Sequence, residues 1–141
     1  MLTPLVVATA MVLLTVLVHG GGLILLSRVL RLERSEEHIV AISPLSIRGL
    51  LFTMAVMLGL FALHGIEIWL YAALYMLVGA LTGLHEAVYF STITYSTIGY
   101  DDEGIAPAWR LIAAIEGVNG ILLLGWSTAF FVSFMARLTK R

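Results

Sequence analysis

From Leu5 to Leu26 the chain carries no Asp, Glu, Lys or Arg. A helix advances about 1.5 Å per residue and the hydrocarbon core of a bilayer is about 30 Å thick, so a run of this length is what one crossing needs. No water reaches the backbone at that depth, and an isolated segment satisfies its own amide and carbonyl groups by folding as a helix. The remainder of the chain agrees: 60% of its 141 residues are hydrophobic and 12% are charged, with a mean hydropathy of +1.01. Soluble domains are nearer half apolar, so this reads as an all-α integral membrane protein. The absence of cysteine removes disulfides, thiolate chemistry and cysteine-based metal sites. A net charge of -1 gives no sign of a nucleic-acid partner.

The distribution of positive charge sets an expected topology. Arg28, Arg31, Arg34 and Arg48 lie between the first two apolar segments, Arg137, Lys140 and Arg141 end the sequence, and Arg110 stands alone. By the positive-inside rule both clusters belong on the cytoplasmic side, which requires an even number of crossings between them. The N-terminus is then outside and the C-terminus cytoplasmic. No basic residue precedes Leu5 and no small-x-small site separates the run from Arg28, so the first segment is expected to be retained rather than cleaved.

After the polar stretch from Arg31 to His38, Ser43 is placed to cap a second helix with Pro44 in its first turn, where proline's missing amide hydrogen costs nothing. The apolar segment from Leu45 to Leu81 would extend about 55 Å as one helix. Two full crossings here would put the basic clusters on opposite sides. One long tilted helix is therefore expected, emerging where the aromatic side chains of Trp69 to Tyr75 suit the headgroup region, with a short turret at Gly79 to Gly83. A last crossing runs from Pro107 to about Met135, and with about six residues after it no soluble domain is expected. Leu84 to Ser96 is too short to span and reads as a re-entrant helix, whose following loop must be surrounded by protein or water.

That loop reads Thr97-Ile98-Gly99-Tyr100-Asp101-Asp102, preceded by Ser91-Thr92-Ile93-Thr94 and followed by Pro107, Trp109-Arg110-Leu111 and glycines at 117, 120 and 125. In this order, from about Pro44 to Arg141, the chain resembles the tetrameric potassium channel superfamily, in particular its small bacterial members with an outer helix, pore helix, filter and inner helix. The resemblance implies three transmembrane helices plus a re-entrant pore helix and selectivity-filter loop, assembled as a homotetrameric pore in a cell membrane, the bacterial inner membrane by likeness to those members. It divides the sequence into an N-terminal transmembrane helix (1–30), a cytoplasmic linker (31–43) and a pore domain (44–141) with pore helix 84–96, filter 97–102 and inner helix 107–135. The first helix lies outside the minimal pattern and would pack against the pore-forming pair.

The family filter reads Thr-Val-Gly-Tyr-Gly-Asp. By that likeness Thr97 offers hydroxyl and carbonyl oxygens at the inner ion site, and Ile98, Gly99 and Tyr100 offer the carbonyl rings that replace the hydration shell of potassium. Asp101 stands where the family has its second glycine; aspartate is among the few residues that tolerate left-handed backbone. With Asp102 and Glu103 it would place roughly twelve carboxylates around a fourfold outer mouth, concentrating cations there. The resemblance thus implies a passive potassium channel. Asp101 raises a weakly selective cation channel as the alternative, and a non-conducting membrane subunit or scaffold is the third reading. No cofactor is expected beyond permeant potassium ions; the partners are further copies and the lipid bilayer, with no nucleic acid and no small-molecule substrate.

Three more residues are expected to support gating and the filter. Glu116 lies about 12 to 14 Å along the last helix, where an ionisable group needs a partner; His64 or Asn119 would supply one behind the filter. Gly120 matches the position at which related inner helices bend, and glycine also lets helices approach closely, so both roles stay open. The same alignment turns Leu124 and Thr128 toward the pore cavity. His64 and Glu67 share a helix face as a pair near the outer headgroups, and Tyr89, Phe90 and Tyr95 are spaced to pack the short helix. Gly20-Gly21-Gly22 reads as close helix packing. His19, His38, His64 and His85 show no His-x3-His or Glu-x-x-His pattern, so no metal site and no enzyme chemistry is expected from spacing.

Overall fold

The computed structural model describes residues 2–30, 46–99 and 104–139, and these are helical with no strand among them. Helix α1 runs Leu2–Val29, α2 Ile47–Leu77 and α3 Leu84–Tyr95; a short 3-10 turn, Pro107–Trp109, leads into α4, Arg110–Thr139. Three of these segments are long and apolar enough to cross a membrane, Leu2–Val29, Ile47–Leu77 and Pro107–Ala136. The second apolar segment is one unbroken helix. Its cap is Ser46, whose hydroxyl accepts the Gly49 amide at 3.1 Å, so the helix opens later than the Pro44 start expected from sequence. Ser43 and Pro44 lie outside the described residues.

Two helices close in the same way. At the end of α2 the Gly79 amide donates to the Met76 carbonyl and the Ala80 amide to Tyr75, with Gly79 at φ +67°. At the end of α3 the Thr97 amide donates to Thr94 and the Ile98 amide to Ile93, with Thr97 at φ +57°. Both are Schellman closures, in which a left-handed residue turns the chain back to satisfy the last carbonyls. Glycine adopts that conformation freely; threonine does so at a cost of about 1 to 2 kcal/mol.

The packing is inverted relative to a soluble domain. Leu17, Phe61 and Leu77 are 74, 79 and 85% exposed, while Thr15, His19, Glu67, Ser91, Glu116, Asn119 and Ser127 are buried. Lipid supplies no hydrophobic drive between apolar helices, so association rests on close contact and polar bonds. Both are present. A Cβ on Gly22 would come within 2.4 Å of Leu63 and one on Gly59 within 2.5 Å of Leu26, which lets α1 and α2 pack closely over two turns. Of the glycine triplet, Gly20 and Gly22 meet neighbours and Gly21 faces open space.

Apolar contacts close the two ends of the bundle. Leu23, Val56, Leu60, Leu63 and Phe134 form one cluster. The other gathers Tyr71, Tyr75, Phe90, Tyr95 and Ile112 around α3. Tyr71 and Tyr75 were expected at the headgroups. They are fully buried, because the helical repeat turns them inward while Trp69, on the opposite face, stays exposed.

Candidate functional site

Helix α3 has 12 residues, about 18 Å, and packs between α2 and α4. Its first residues lie beside the Ala80 region, where the Ala106 amide donates to the Ala80 carbonyl at 3.3 Å. Its last residue meets α4 at Gly120. A Cβ placed on Gly120 would fall 2.1 Å from the Tyr95 carbonyl oxygen, and Gly120 is ten residues, about 15 Å, into α4. The loop after α3 therefore starts beside a point about one third of the way along a helix long enough to span a bilayer.

Two carboxylates hold that short helix, one at Ser91 in its interior and one at its last residue, Tyr95. Ser91 donates to Glu116 Oε1 at 2.5 Å and also lies 3.0 Å from the Ile68 carbonyl, while Tyr75 donates to Glu116 Oε2. Tyr95 donates to Glu67 Oε2. Glu67 also meets His19 Nδ1 at 2.8 Å and His64 Nδ1 at 3.2 Å. The second ring nitrogens of these histidines both approach Ser127 Oγ, His64 Nε2 at 2.9 Å and His19 Nε2 at 3.3 Å. One turn along α4 from Glu116, between it and Ser127, Asn119 donates to Thr15 Oγ1 at 2.8 Å and to Tyr71 at 3.2 Å.

Several expectations change at this point. Glu116 is buried as expected, but its partners are Tyr75 and Ser91 rather than His64 or Asn119, because residues 116 and 119 face different neighbours one turn apart. Of His64 and Glu67, Glu67 is fully buried and bonded to α1 and α3, while His64 is partly exposed in the groove between α2 and α4. Of the three aromatics assigned to packing, Phe90 meets Tyr75 edge-on at 5.3 Å and Tyr95 meets His64 edge-on at 5.8 Å, whereas Tyr89 is exposed. For Gly120 the contact with Tyr95 identifies a close approach.

Thr97, Ile98 and Gly99 are exposed, Ile98 at 80%, and a Cβ on Gly99 would meet nothing within 4 Å. Nearby, the buried Thr94 Oγ1 has no hydrogen-bond partner among the described residues. Tyr100, Asp101, Asp102 and Glu103 lie outside the described residues. Leu124 and Thr128 line a groove of about 400 Å³ between α2 and α4, together with Met57, Phe61, His64 and Phe131. The Thr128 hydroxyl donates to the Leu124 carbonyl at 2.9 Å.

His19, Ser127, Tyr75 and Thr15 were not singled out from sequence as site residues. A signal existed for His19, since an imidazole in the middle of a charge-free membrane run is costly without a partner. Nothing in sequence spacing marked Ser127 or Thr15.

No curated protein and no solved structure matches this chain significantly. A family model described as ion channel matches residues 53–137, from within α2 to near the end of α4 and more than half of the chain. This family is one of channels rather than enzymes. The chain is therefore a multi-pass, all-α membrane protein that belongs to the ion channel family, of the small pore-only, potassium-channel-like kind, with an additional N-terminal apolar helix.

Proposed function

We propose that the chain is the subunit of a passive, potassium-selective channel formed by four copies. One observation carries this reading: α3 ends against Gly120, about 15 Å into α4, and delivers the exposed residues Thr97, Ile98 and Gly99 at that depth. Helix α3 then serves as the pore helix and residues 97–102 as the filter. The C-terminal end of a helix dipole is negative, and at low dielectric that end favours a cation. Exposed backbone at membrane depth is tolerated only where protein or water meets it. One chain supplies one such segment, so a ring of carbonyls needs several copies around an axis.

In this reading Thr97, Ile98, Gly99 and Tyr100 coordinate dehydrated potassium, and Asp101 shapes the outermost site. Asp102 and Glu103 gather cations at the outer mouth. Residues 44–141 are the pore domain, with the N-terminus outside and the C-terminus cytoplasmic. Leu124 and Thr128 face the water-filled cavity below the filter. Glu116, Asn119 and Gly120 support the filter from behind, with α1 bracing the outer side.

The test is reversal-potential measurement on purified protein in liposomes under potassium and sodium gradients, with Asp101→Gly as comparison. A reversal potential that follows potassium is expected. Near-equal permeability in the unaltered chain, restored to potassium preference by Asp101→Gly, would instead establish the weakly selective cation channel. Absence of cation flux together with a particle lacking fourfold symmetry would overturn both in favour of a non-conducting scaffold.

A further inference from the structure

Three groups from two helices converge behind the filter loop in an arrangement the channel reading does not use. His19 of α1 and His64 and Glu67 of α2 each present one ligand atom, and these atoms lie within 4.8 Å of one another. His19 and Glu67 are fully buried, and the His64 side chain is 13% exposed. Both Nδ1 atoms face the one carboxylate, at 2.8 and 3.2 Å. Both Nε2 atoms face the one hydroxyl of Ser127, at 2.9 and 3.3 Å.

The hydrogen count in this cluster is informative. If both imidazoles are neutral and each donates Nδ1–H to Glu67, both Nε2 atoms are acceptors facing a hydroxyl with one hydrogen. One acceptor then has no donor from the protein. A proton on one imidazole closes the count, its Nε2–H donating to Ser127 Oγ and the Ser127 hydroxyl donating to the other ring; a cation between the two Nδ1 atoms and Glu67 closes it as well. The Nδ1 lone pairs and the carboxylate bind the cation, and both Nε2–H groups donate to the two lone pairs of Ser127 Oγ. Metal-bound histidines are held in this way, their second nitrogen donating to a neighbouring oxygen that fixes tautomer and ring orientation.

We propose that His19, His64 and Glu67 form a binding site for a transition-metal dication of the zinc class, with Ser127 orienting both imidazoles. Two histidines and one carboxylate are a donor set suited to zinc, which binds each atom at about 2.0 to 2.2 Å in a tetrahedron. Tetrahedral closure needs the ligand atoms about 3.3 Å apart, so the widest gap in the cluster narrows by roughly 1.5 Å on binding. The Tyr95 hydroxyl, 3.0 Å from His64 Nδ1 and bonded to Glu67, stands at the fourth side. Access is through the groove between α2 and α4, which both His64 and Ser127 line. Sequence spacing hid this site because the ligands are 45 and 48 positions from His19 and meet only when α1 docks antiparallel on α2.

Bound metal would tie α1 to α2 and, through Tyr95, to the last residue of α3, two positions before Thr97. The proposal is independent of which monovalent ion the pore conducts. Its test uses full-length protein in detergent with potassium present, stripped with a chelator and titrated with Co²⁺ and then with competing Zn²⁺. Visible absorption of tetrahedral Co²⁺ saturating at one ion per chain, displaced by Zn²⁺, is expected. His19→Gln and His64→Gln should each weaken binding at least about tenfold, and Ser127→Ala, which keeps all three ligands, about 10- to 100-fold. His85→Gln, on the exposed face of α3, should bind as the unaltered chain does. A hydrogen-bonded network only, with no tetrahedral Co²⁺ signal, would overturn the proposal. So would binding that survives His19→Gln and is lost in Asp102→Asn, which would assign the ion to the acidic outer mouth. Ser127→Ala keeps the question decidable if His19→Gln fails to fold, since unchanged affinity there also overturns the orienting role.

Discussion

Gly120→Ala separates two roles for a glycine about one third of the way along α4. The added Cβ would sit 2.1 Å from the Tyr95 carbonyl oxygen, 2.9 Å from its carbonyl carbon and 3.1 Å from its Cα. All three are backbone atoms of α3, so no side chain can rotate away. The atoms must separate by more than about 1 Å to restore ordinary contact, and overpacking of this kind costs about 1 to 3 kcal/mol. Alanine recovers about 1 kcal/mol of helix propensity. With a backbone obstacle the upper part of the overpacking range applies, leaving a net loss of about 2 kcal/mol. Gly125→Ala is the matched comparison, since a Cβ there meets nothing within 4 Å and only the propensity gain remains. Thermal unfolding in detergent should place Gly120→Ala about 4 to 8 °C below the unaltered chain and Gly125→Ala at or above it. Flux should fall in the first variant because α3 and its loop are displaced. Equal melting temperatures for the two variants, with altered gating only in Gly120→Ala, would refute the packing argument and establish a hinge.

Two further substitutions test the polar contacts. Glu116→Ala removes the acceptor shared by Tyr75 and Ser91 and is expected to cost about 1 to 3 kcal/mol in thermal unfolding. Glu116→Gln, which keeps one acceptor oxygen, should cost less yet change open probability in single-channel recordings; unchanged currents would leave Glu116 with a packing role alone. A double-mutant cycle of Thr15→Val with Asn119→Leu should show coupling of about 0.5 to 2 kcal/mol between α1 and α4. Additive losses would mean that the 2.8 Å contact contributes nothing to helix docking.

The crossings were legible because they depend on composition over about twenty residues, which rotation of a helix about its axis does not alter. Helix α1 begins and ends within three residues of the charge-free run, and α2 proved to be one helix, as the charge clusters required. The polar pairs were not legible, since they depend on that rotation and on the register between helices. Glu116 and Asn119 are three residues apart on α4, yet one reaches α3 and the other α1. Tyr71 and Tyr75 read as headgroup anchors for the same reason: their type suits an interface, and only the register of α2 on α4 shows each hydroxyl meeting a buried partner. The filter motif was readable as a string. Its entry into a left-handed turn at Thr97 was not, because threonine is an unfavourable residue for a Schellman closure.

The register between the helices explains how a helix outside the matched segment can bear on the loop. Helices α2 and α4 are joined by three polar rungs, Tyr75 with Glu116, Tyr71 with Asn119 and His64 with Ser127. Each step of about four to seven residues down α2 is matched by three to eight up α4, as antiparallel helices require. Helix α1 adds Thr15 to the second rung and His19 to the third. Helix α3 adds Ser91 to the first and, through Glu67, Tyr95 to the third. In lipid such contacts average about 0.6 kcal/mol and reach about 1.7, so no single rung holds the bundle, but the set fixes one rotation for each helix. The loop at Thr97 leaves α3 two residues beyond Tyr95, whose hydroxyl is held by the carboxylate that His19 also binds. A displacement of α1 that breaks the His19 contact therefore changes what restrains Tyr95, which gives the N-terminal helix a direct mechanical route to the loop.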